Sequence, residues 1–436
     1  MPETQGYDVA VLGAGAAGLV AAARAAELGR SVVLLEKNRR AGVKILMSGG
    51  TRCNLTNARG LRNLSVVSGP LDPGNDPKQA RGARGIQDAF GAGGPFLGPS
   101  LRALGVEASV SLFEAEGVAT YVEPNGKVFP LSNKAADVVD ALMRRLARSG
   151  AELRALSPVG GVERVEGGYR VDAAGGPVLA RRVVVAVGGR SYPGCGTCGD
   201  GYAIARGFGH TIVDPRPALV PIRVDAPWVG ALSGLTLPDA RAAVGGATGP
   251  RHIERREAVL FAHFGLTGPA ILDVSRAVAR HDGTDPLELS LDLAPDDRPE
   301  AVDAAIQAAS RRGRCLAVNL LPDTVPRRLA EAMLVAASIP AGRTGPELSR
   351  DERRRLVGAV KSLRLPVAGT LGFAKAEVTS GGVDLAEVDP STLESRLAPG
   401  LFFAGEVLDL DGLIGGYNFQ AAWSTGWLAG EVAALR

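Results

Sequence analysis

The segment YDVAVLGAGAAG, residues 7 to 18, constrains this chain more than any other. A run of buried β-type residues enters a turn containing Gly13, Gly15 and Gly18, and a helix of small residues, Ala16 to Leu28, leaves it. Gly13 permits the tight turn, Gly15 lets a pyrophosphate come close to backbone, and Gly18 lets helix and strand pack closely. The first helical turn, Ala17 included, offers unpaired N–H groups and the positive dipole end to the phosphates. Gly29 ends the helix, and a second strand, SVVLLE, closes on Glu36. A carboxylate there accepts bonds from ribose hydroxyls and disfavours a 2′-phosphate. Glycine turns alone are common in a chain with 58 glycines; strand, turn, helix, strand and acid in register specify a dinucleotide site.

The bulk properties exclude other classes. At 436 residues the chain exceeds one ordinary core, and two or three domains of about 100–200 residues are expected. Forty-nine basic and 46 acidic side chains leave a net charge of +3, too little to demand a nucleic-acid or membrane partner. Four cysteines do not make a disulfide framework, so a reducing compartment, the cytoplasm, is expected. The apolar run from Val9 to Leu35 is broken by Arg24, Glu27, Arg30 and glycines, and reads as neither signal peptide nor membrane span. The histidines and cysteines lack paired ligand spacing and no GxSxG elbow occurs, so neither a metal nor a serine triad is expected.

Residues 37 to 57, KNRRAGVKILMSGGTRCNLTN, form a polar glycine-containing loop with few features of strand or helix. RRVVVAVGGRSYPG, 181 to 194, is a buried strand running into a turn at Gly188. Residues 401 to 435 supply another strand, a glycine-acid turn, a glycine-rich loop and a helix. The Rossmann sheet is thus expected to be completed by the last seventy residues, a discontinuity expected for FAD, whose ribityl chain and ring extend across the strand ends. Residues 58 to 100, rich in glycine and proline, read mostly as a surface excursion; a substrate-gating or RNA-contacting loop is the alternative. From 216 to 296 short β-type runs predict a mostly β second domain, and 297 to 365 turn helical. The basic residues there, Arg311, Arg312, Arg314, Arg327, Arg328, Arg353, Arg354, Arg355 and Lys361, read as solvated faces, with an RNA-docking surface as the alternative. The expected fold is α/β: a two-dinucleotide-type Rossmann FAD domain, residues 1–215 and 366–436 with the return strand, a β-rich substrate domain, 216–296, and a small inserted helical domain, 297–365.

The blocks GxGxxG, KILMSGGTRCNLTN, NGKVFP, VVAVGGRSYPGCGTCGDGYAIA, LFAHFGLTGPAIL, AEVTSGGVD and LFFAGEVLDLDGLIGGYNFQAAWSTG, in this order, resemble the BaiN/RdsA-type flavoprotein family over nearly the whole chain. The resemblance implies bound FAD and a chemistry among aminoacetone oxidation, flavin steps of bile-acid dehydroxylation, and dihydrouridine formation in large-subunit ribosomal RNA. It implies that Gly13, Gly15, Gly18, Glu36 and Lys37 hold the ADP half. Lys44, Ser48, Gly49, Arg52, Cys53 and Asn54 would lie in the loop beside the cofactor, Arg52 neutralising pyrophosphate or anionic reduced flavin. Gly405, Glu406 and Asp409 would lie near the ribityl chain, and Gly415, Gly416, Tyr417, Asn418 and Gln420 precede the last helix. The loop departs from the family once, with Thr51 where many relatives have glycine.

Three residues are candidate proton donors or anchors: Cys53, His263 in LFAHFGLTGPAIL, and Tyr417. Each has a packing role as its alternative. Cys195 and Cys198 form a CxxC, which would pass electrons to a disulfide, although relatives commonly carry threonine or serine there. The leading expectation is an FAD-dependent oxidoreductase moving hydride between flavin N5 and a small organic substrate. No second GxGxxG is present, so NAD(P)H binds transiently as reductant or molecular oxygen serves as acceptor. A dihydrouridine synthase acting on ribosomal RNA, a CxxC disulfide reductase and a non-enzymatic flavin-bearing binding protein are the alternatives.

Overall fold

A computed structural model describes residues 6–61, 82–246, 251–281, 283, 285–311, 313 and 315–436. The chain divides into two units, residues 1–216 with 377–436, and residues 217–376.

In the first unit the strand Gly6–Leu12 is the centre of a parallel array, because its residues are apolar on both faces and buried on both. Val32–Leu35 pairs with one edge and Val178–Val185 with the other. Glu152–Arg154 extends the sheet beyond Val32–Leu35, and Leu401–Phe403 runs parallel to Val183–Val185. The last seventy residues therefore complete the sheet. The N-terminal half of Val178–Val185 also pairs antiparallel with Gly168–Ala173, and that strand with Val159–Val165. This antiparallel arm is not among the elements expected from the sequence.

Two helices meet almost backbone to backbone on this sheet. The helix Ala16–Glu27, sequence AAGLVAAARAAE, has nine buried residues and nothing larger than leucine among them. The closing helix Tyr417–Leu435 presents Gly426 and Gly430 to it: a Cβ on either would lie 2.3 Å from the carbonyl of Ala17 or Ala21. Glycine is required there by approach, not by torsion.

Part of the expected surface excursion is instead buried structure. Residues 62–81, with Arg62, Lys78 and Arg81, lie outside the described residues. From Ala83 the chain forms the helices Ala83–Gln87, Asp88–Leu97 and Gly98–Ala103, and Ile86, Phe90, Leu97 and Leu101 join the core. Glycine in this stretch serves packing, since a Cβ on Gly94 would sit 2.2 Å from the Gln87 carbonyl. Likewise the loop 37–57 contains a short helix, Val43–Met47, and a strand, Thr56–Asn57.

The second unit is a closed six-stranded barrel. Its order is Ile222–Val224, Gly265–Thr267, Arg251–Ala262, Thr236–Gly246, Leu287–Asp292 and Leu363–Thr370, which returns to the first strand. The helices Pro299–Ser310, Arg327–Ala336 and Arg350–Lys361 are inserted between the last two strands. Ser349 and Glu352 cap the third reciprocally, which fixes its start. Leu289 and Leu291 of the barrel share one buried cluster with Ile306, Leu329, Met333 and Leu356 of the helices. Among the described residues no helix is long and apolar enough to cross a membrane.

Candidate cofactor site

Four loops of the first unit leave the carboxyl ends of adjacent parallel strands. They are tied together at their first residues: the Gly13 N–H donates to the Leu35 carbonyl at 2.8 Å, Ala186 to Leu12 at 2.9 Å, and Ala404 to Val185 at 3.1 Å. In open α/β sheets ligands bind along this edge.

The three glycines of the turn answer to different neighbours. A Cβ on Gly18 would meet the Gly13 carbonyl at 1.8 Å, and one on Gly13, itself at φ +92°, would meet the Ala186 carbonyl at 2.8 Å. Protein packing requires both. At Gly15, φ −84° suits any residue, and among the described residues no atom lies within 4 Å of where its Cβ would stand. A residue that neither torsion nor neighbours restrict, at the start of a twelve-residue helix, leaves a cradle that a Cβ would fill. That donor set fits a dinucleotide pyrophosphate.

Glu36 is buried, and it braces the turn from beneath. One carboxylate oxygen accepts from Ala14 N–H at 2.7 Å, the other from Asn38 N–H at 2.8 Å, with lone pairs left for hydroxyl donors. The neighbouring Lys37 ammonium pairs with Asp200. Asn38 holds the CxxC loop through the Cys195 carbonyl at 3.0 Å. Cys195 therefore sits beside the residues that follow Glu36.

Lys44 reaches Glu406 and donates to Ser191 Oγ at 2.6 Å. Glu406 in turn accepts from Ser191 Oγ and from the Thr379 N–H, the latter at 3.0 Å. Thr379 Oγ1 accepts the Arg190 N–H at 2.8 Å, which secures the turn after Gly188. Ser191 and Thr379 were missed as single residues; the only signal for them is their presence in the blocks RSYPG and AEVTSGG. Gly405 N–H donates to Thr425 Oγ1 at 3.0 Å, and Asp409 accepts from Gly381 N–H at 2.9 Å.

Four consecutive loop residues grip the closing segment. The Asn54 amide, in the orientation that satisfies its neighbours, accepts the Gly416 N–H at 2.9 Å. The Leu55 carbonyl accepts Trp423 Nε1–H at 3.0 Å, Thr56 Oγ1 donates to Gln420 at 2.6 Å, and Asn57 donates to the Gly415 carbonyl at 2.9 Å. A Cβ on Gly416 would strike the Thr56 carbonyl at 2.4 Å. Asn418 closes the preceding turn by accepting Gly412 N–H at 2.8 Å. The strained turn Ser48–Thr51, with Gly49, Gly50 and Thr51 all at positive φ, precedes this clamp. Arg52 is stacked on Phe129, 4.0 Å from the ring centre, and paired with Glu123 at 2.9 Å, so its charge is largely engaged already.

The candidate chemical groups fall in both units. Cys53 is fully buried in the core, and burial pushes its thiol up to about 12, against a hydrogen bond from Ser48 that lowers it. Tyr417 is buried as well. His263 is exposed in the turn after Arg251–Ala262, within the second unit. Cys195 is buried and Cys198 exposed, both as free thiols. Burial raises the Cys195 thiol, partly offset by the Lys44 ammonium, which is the reverse of a reactive redox cysteine.

Comparison with known proteins follows the same residues. The profile described as "HI0933-like protein Rossmann domain" matches residues 7–68 and 81–432. A ribosomal RNA dihydrouridine synthase of Escherichia coli is 33% identical over 98% of this chain and 97% of its own. A 3-dehydro-bile acid delta(4,6)-reductase of Clostridium scindens is 31% identical over 98% of this chain and 99% of its own. Among solved structures, a 3-ketosteroid delta1-dehydrogenase of Sterolibacterium denitrificans shares the fold at a TM-score of 0.52 and 15% identity, covering 99% of this chain and 100% of that one.

Proposed function

This chain belongs to the HI0933-like Rossmann family and is an FAD-dependent oxidoreductase; we propose that it delivers hydride to an organic substrate of small-molecule size. When bound, FAD supplies the hydride chemistry. The chain's own residues bind and orient it. The Gly13–Gly18 turn and the N–H groups of Ala16 and Ala17 would hold the pyrophosphate, and Glu36 the adenosine ribose. Lys44, Ser191 and Glu406, locked together and by Thr379, would orient the ribityl side. The clamp of residues 54–57 on Gly415 and Gly416 would fix backbone donors against the ring. NAD(P)H is proposed as the external reductant. The two relatives' names describe making dihydrouridine in ribosomal RNA and reducing a bile acid; reduction is what they share, and it supports this direction of transfer.

The observation that carries the reading is Gly15, a glycine whose side-chain position is free of protein. Gly15→Ala is expected to fold with an unchanged melting profile in the apo form and to lose most of its bound flavin. Retention of stoichiometric FAD by this variant would sink the pyrophosphate assignment. Cys53 is not proposed as proton donor, because a fully buried thiol cannot reach a substrate.

Uridine reduction in ribosomal RNA is the second reading, favoured by the Escherichia coli relative. It is tested by mass mapping of rRNA from a strain lacking the gene: an unchanged modification pattern eliminates it. Cationic side chains of the helical insertion lend it little support. Arg353 pairs with Asp303 at 2.6 Å, Arg355 donates to the Ala337 carbonyl at 2.8 Å, and Lys361 pairs with Asp292 at 2.8 Å. Arg312 and Arg314 lie outside the described residues.

A further inference from the structure

Four polar side chains, Thr56, Ser109, Gln420 and Ser424, are buried near the start of the closing helix, and Gln420 joins them. Its Nε2 donates to the Leu104 carbonyl at 3.1 Å and lies 2.9 Å from both Ser109 Oγ and Ser424 Oγ. Its Oε1 accepts from Thr56 Oγ1 at 2.6 Å. A carbonyl can only accept, so Leu104 fixes which end of the amide faces Thr56. Leu104 lies between the helices Gly98–Ala103 and Val106–Ala115, and Ser109 in the first turn of the second. Phe113 of that helix packs edge-on against Trp423, with ring centres 5.3 Å apart. Polar groups in such apolar surroundings are costly unless each is bonded, and all four are.

The cluster holds the turn that opens the closing helix. Thr56 belongs to the strand Thr56–Asn57, which pairs with Lys127–Pro130. Its carbonyl stands where a Cβ on Gly416 would come to 2.4 Å, and accepts from the same Asn54 amide that receives the Gly416 N–H. From the other side the Gln420 N–H donates to the Gly416 carbonyl at 3.0 Å. Thr56, Gln420 and Gly416 therefore form a ring of contacts, which the Thr56 hydroxyl closes.

The N–H groups of the helix's first turn have no acceptor within the helix, and this ring sets their direction. We propose that Gln420, acting through Thr56, is a positioning residue that aims these donors at the flavin and thereby raises its reduction potential. The inference rests on the proposed seat of the flavin ring against Gly415 and Gly416. Reduction adds negative charge to the pyrimidine end of that ring, so donors held in a fixed direction favour the reduced form. Donors free to swing favour it less, because they must first be ordered.

The test uses the holoenzyme in a redox buffer poised at the wild-type midpoint, with the flavin read by its absorbance. Thr56→Val keeps the shape of a strand residue and removes the hydroxyl. It is expected to bind FAD stoichiometrically while its ratio of reduced to oxidised flavin falls about three- to tenfold, the effect of one hydrogen bond. Gln420→Met, which removes the bond from the other side, should fall likewise, and Thr56→Ser should return the wild-type ratio. Ser424→Ala is the control for general loosening of the core. The Gln420 amide has two protons for three acceptors, so this variant should melt earlier yet keep the wild-type ratio. The inference is overturned if Thr56→Val or Gln420→Met holds the wild-type ratio, or if Ser424→Ala falls as far as they do. Deuterium exchange of residues 412–420, with and without FAD, checks the seat of the ring separately. Absence of protection by FAD in the wild type sinks the seat, whereas protection with an unchanged ratio in Thr56→Val sinks this inference alone.

Discussion

Two buried residues contribute to the pH dependence of stability from opposite directions. Cys53 keeps its proton up to about 12 in the folded chain but releases it near the ordinary value of 9.0 when unfolded. Its contribution is complete below 9.0 and is lost as pH climbs from there toward 12. The wild type should therefore lose stability on the alkaline side more steeply than Cys53→Ala, as read from denaturant midpoints, and turnover of that variant should persist. His210 behaves oppositely. Burial lowers it below the usual 6.5, against the pull of Glu387, and Nε2 meets Ser395 Oγ at 2.7 Å. A group held neutral this way stabilises fully above 6.5, and the contribution disappears as pH falls through and below that value. A shallower acid-side decline in His210→Gln is the expected result; an identical slope would remove His210 from the account.

Helix–helix approach and helix exposure give glycine opposite values in different elements. Gly426→Ala puts a methyl 2.3 Å from the Ala17 carbonyl, and the forced separation of the two helices should cost about 1–3 kcal/mol and weaken flavin retention through the displaced first turn. Gly358 lies in the exposed face of Arg350–Lys361 with open space around it, so Gly358→Ala should stabilise by roughly 0.5–1 kcal/mol. Urea midpoints of both variants check the contrast in sign. The same distinction explains what could be read in advance. Gly6–Leu12, Ala16–Glu27 and Val32–Leu35 were legible because strand and helix periods are local. Residues 83–103 were not, because GAGGPFLGPS has the composition of a loop, and only the tertiary neighbours of Gly94 reveal that its glycines are packed. The clamp of 54–57 on 415–423 joins residues more than 350 positions apart, so no window of sequence contains it.

For the whole molecule, the β-type runs after residue 216 were readable, but their closure into a barrel was not, since closure depends on pairing Ile222–Val224 with Leu363–Thr370 across the inserted helices. Substrate choice resides in shape and is invisible at the level of motifs. Association with ribosomal RNA would fall steeply with salt, because each neutralised phosphate releases counterions. Binding of rRNA fragments that is weak and nearly independent of salt, together with bleaching of the flavin by NAD(P)H and its reoxidation by a small organic acceptor, is the expected outcome. Steep salt dependence would favour the RNA reading. The grip of residues 54–57 on the closing helix, and the pairing of Leu401–Phe403 with Val183–Val185, also bear on biosynthesis. On the ribosome the glycine turn emerges about 400 residues before the helix Tyr417–Leu435 that packs on it through Gly426 and Ala17. Capture of the coenzyme is then expected to wait for that helix, and a translation product stalled before it to remain colourless.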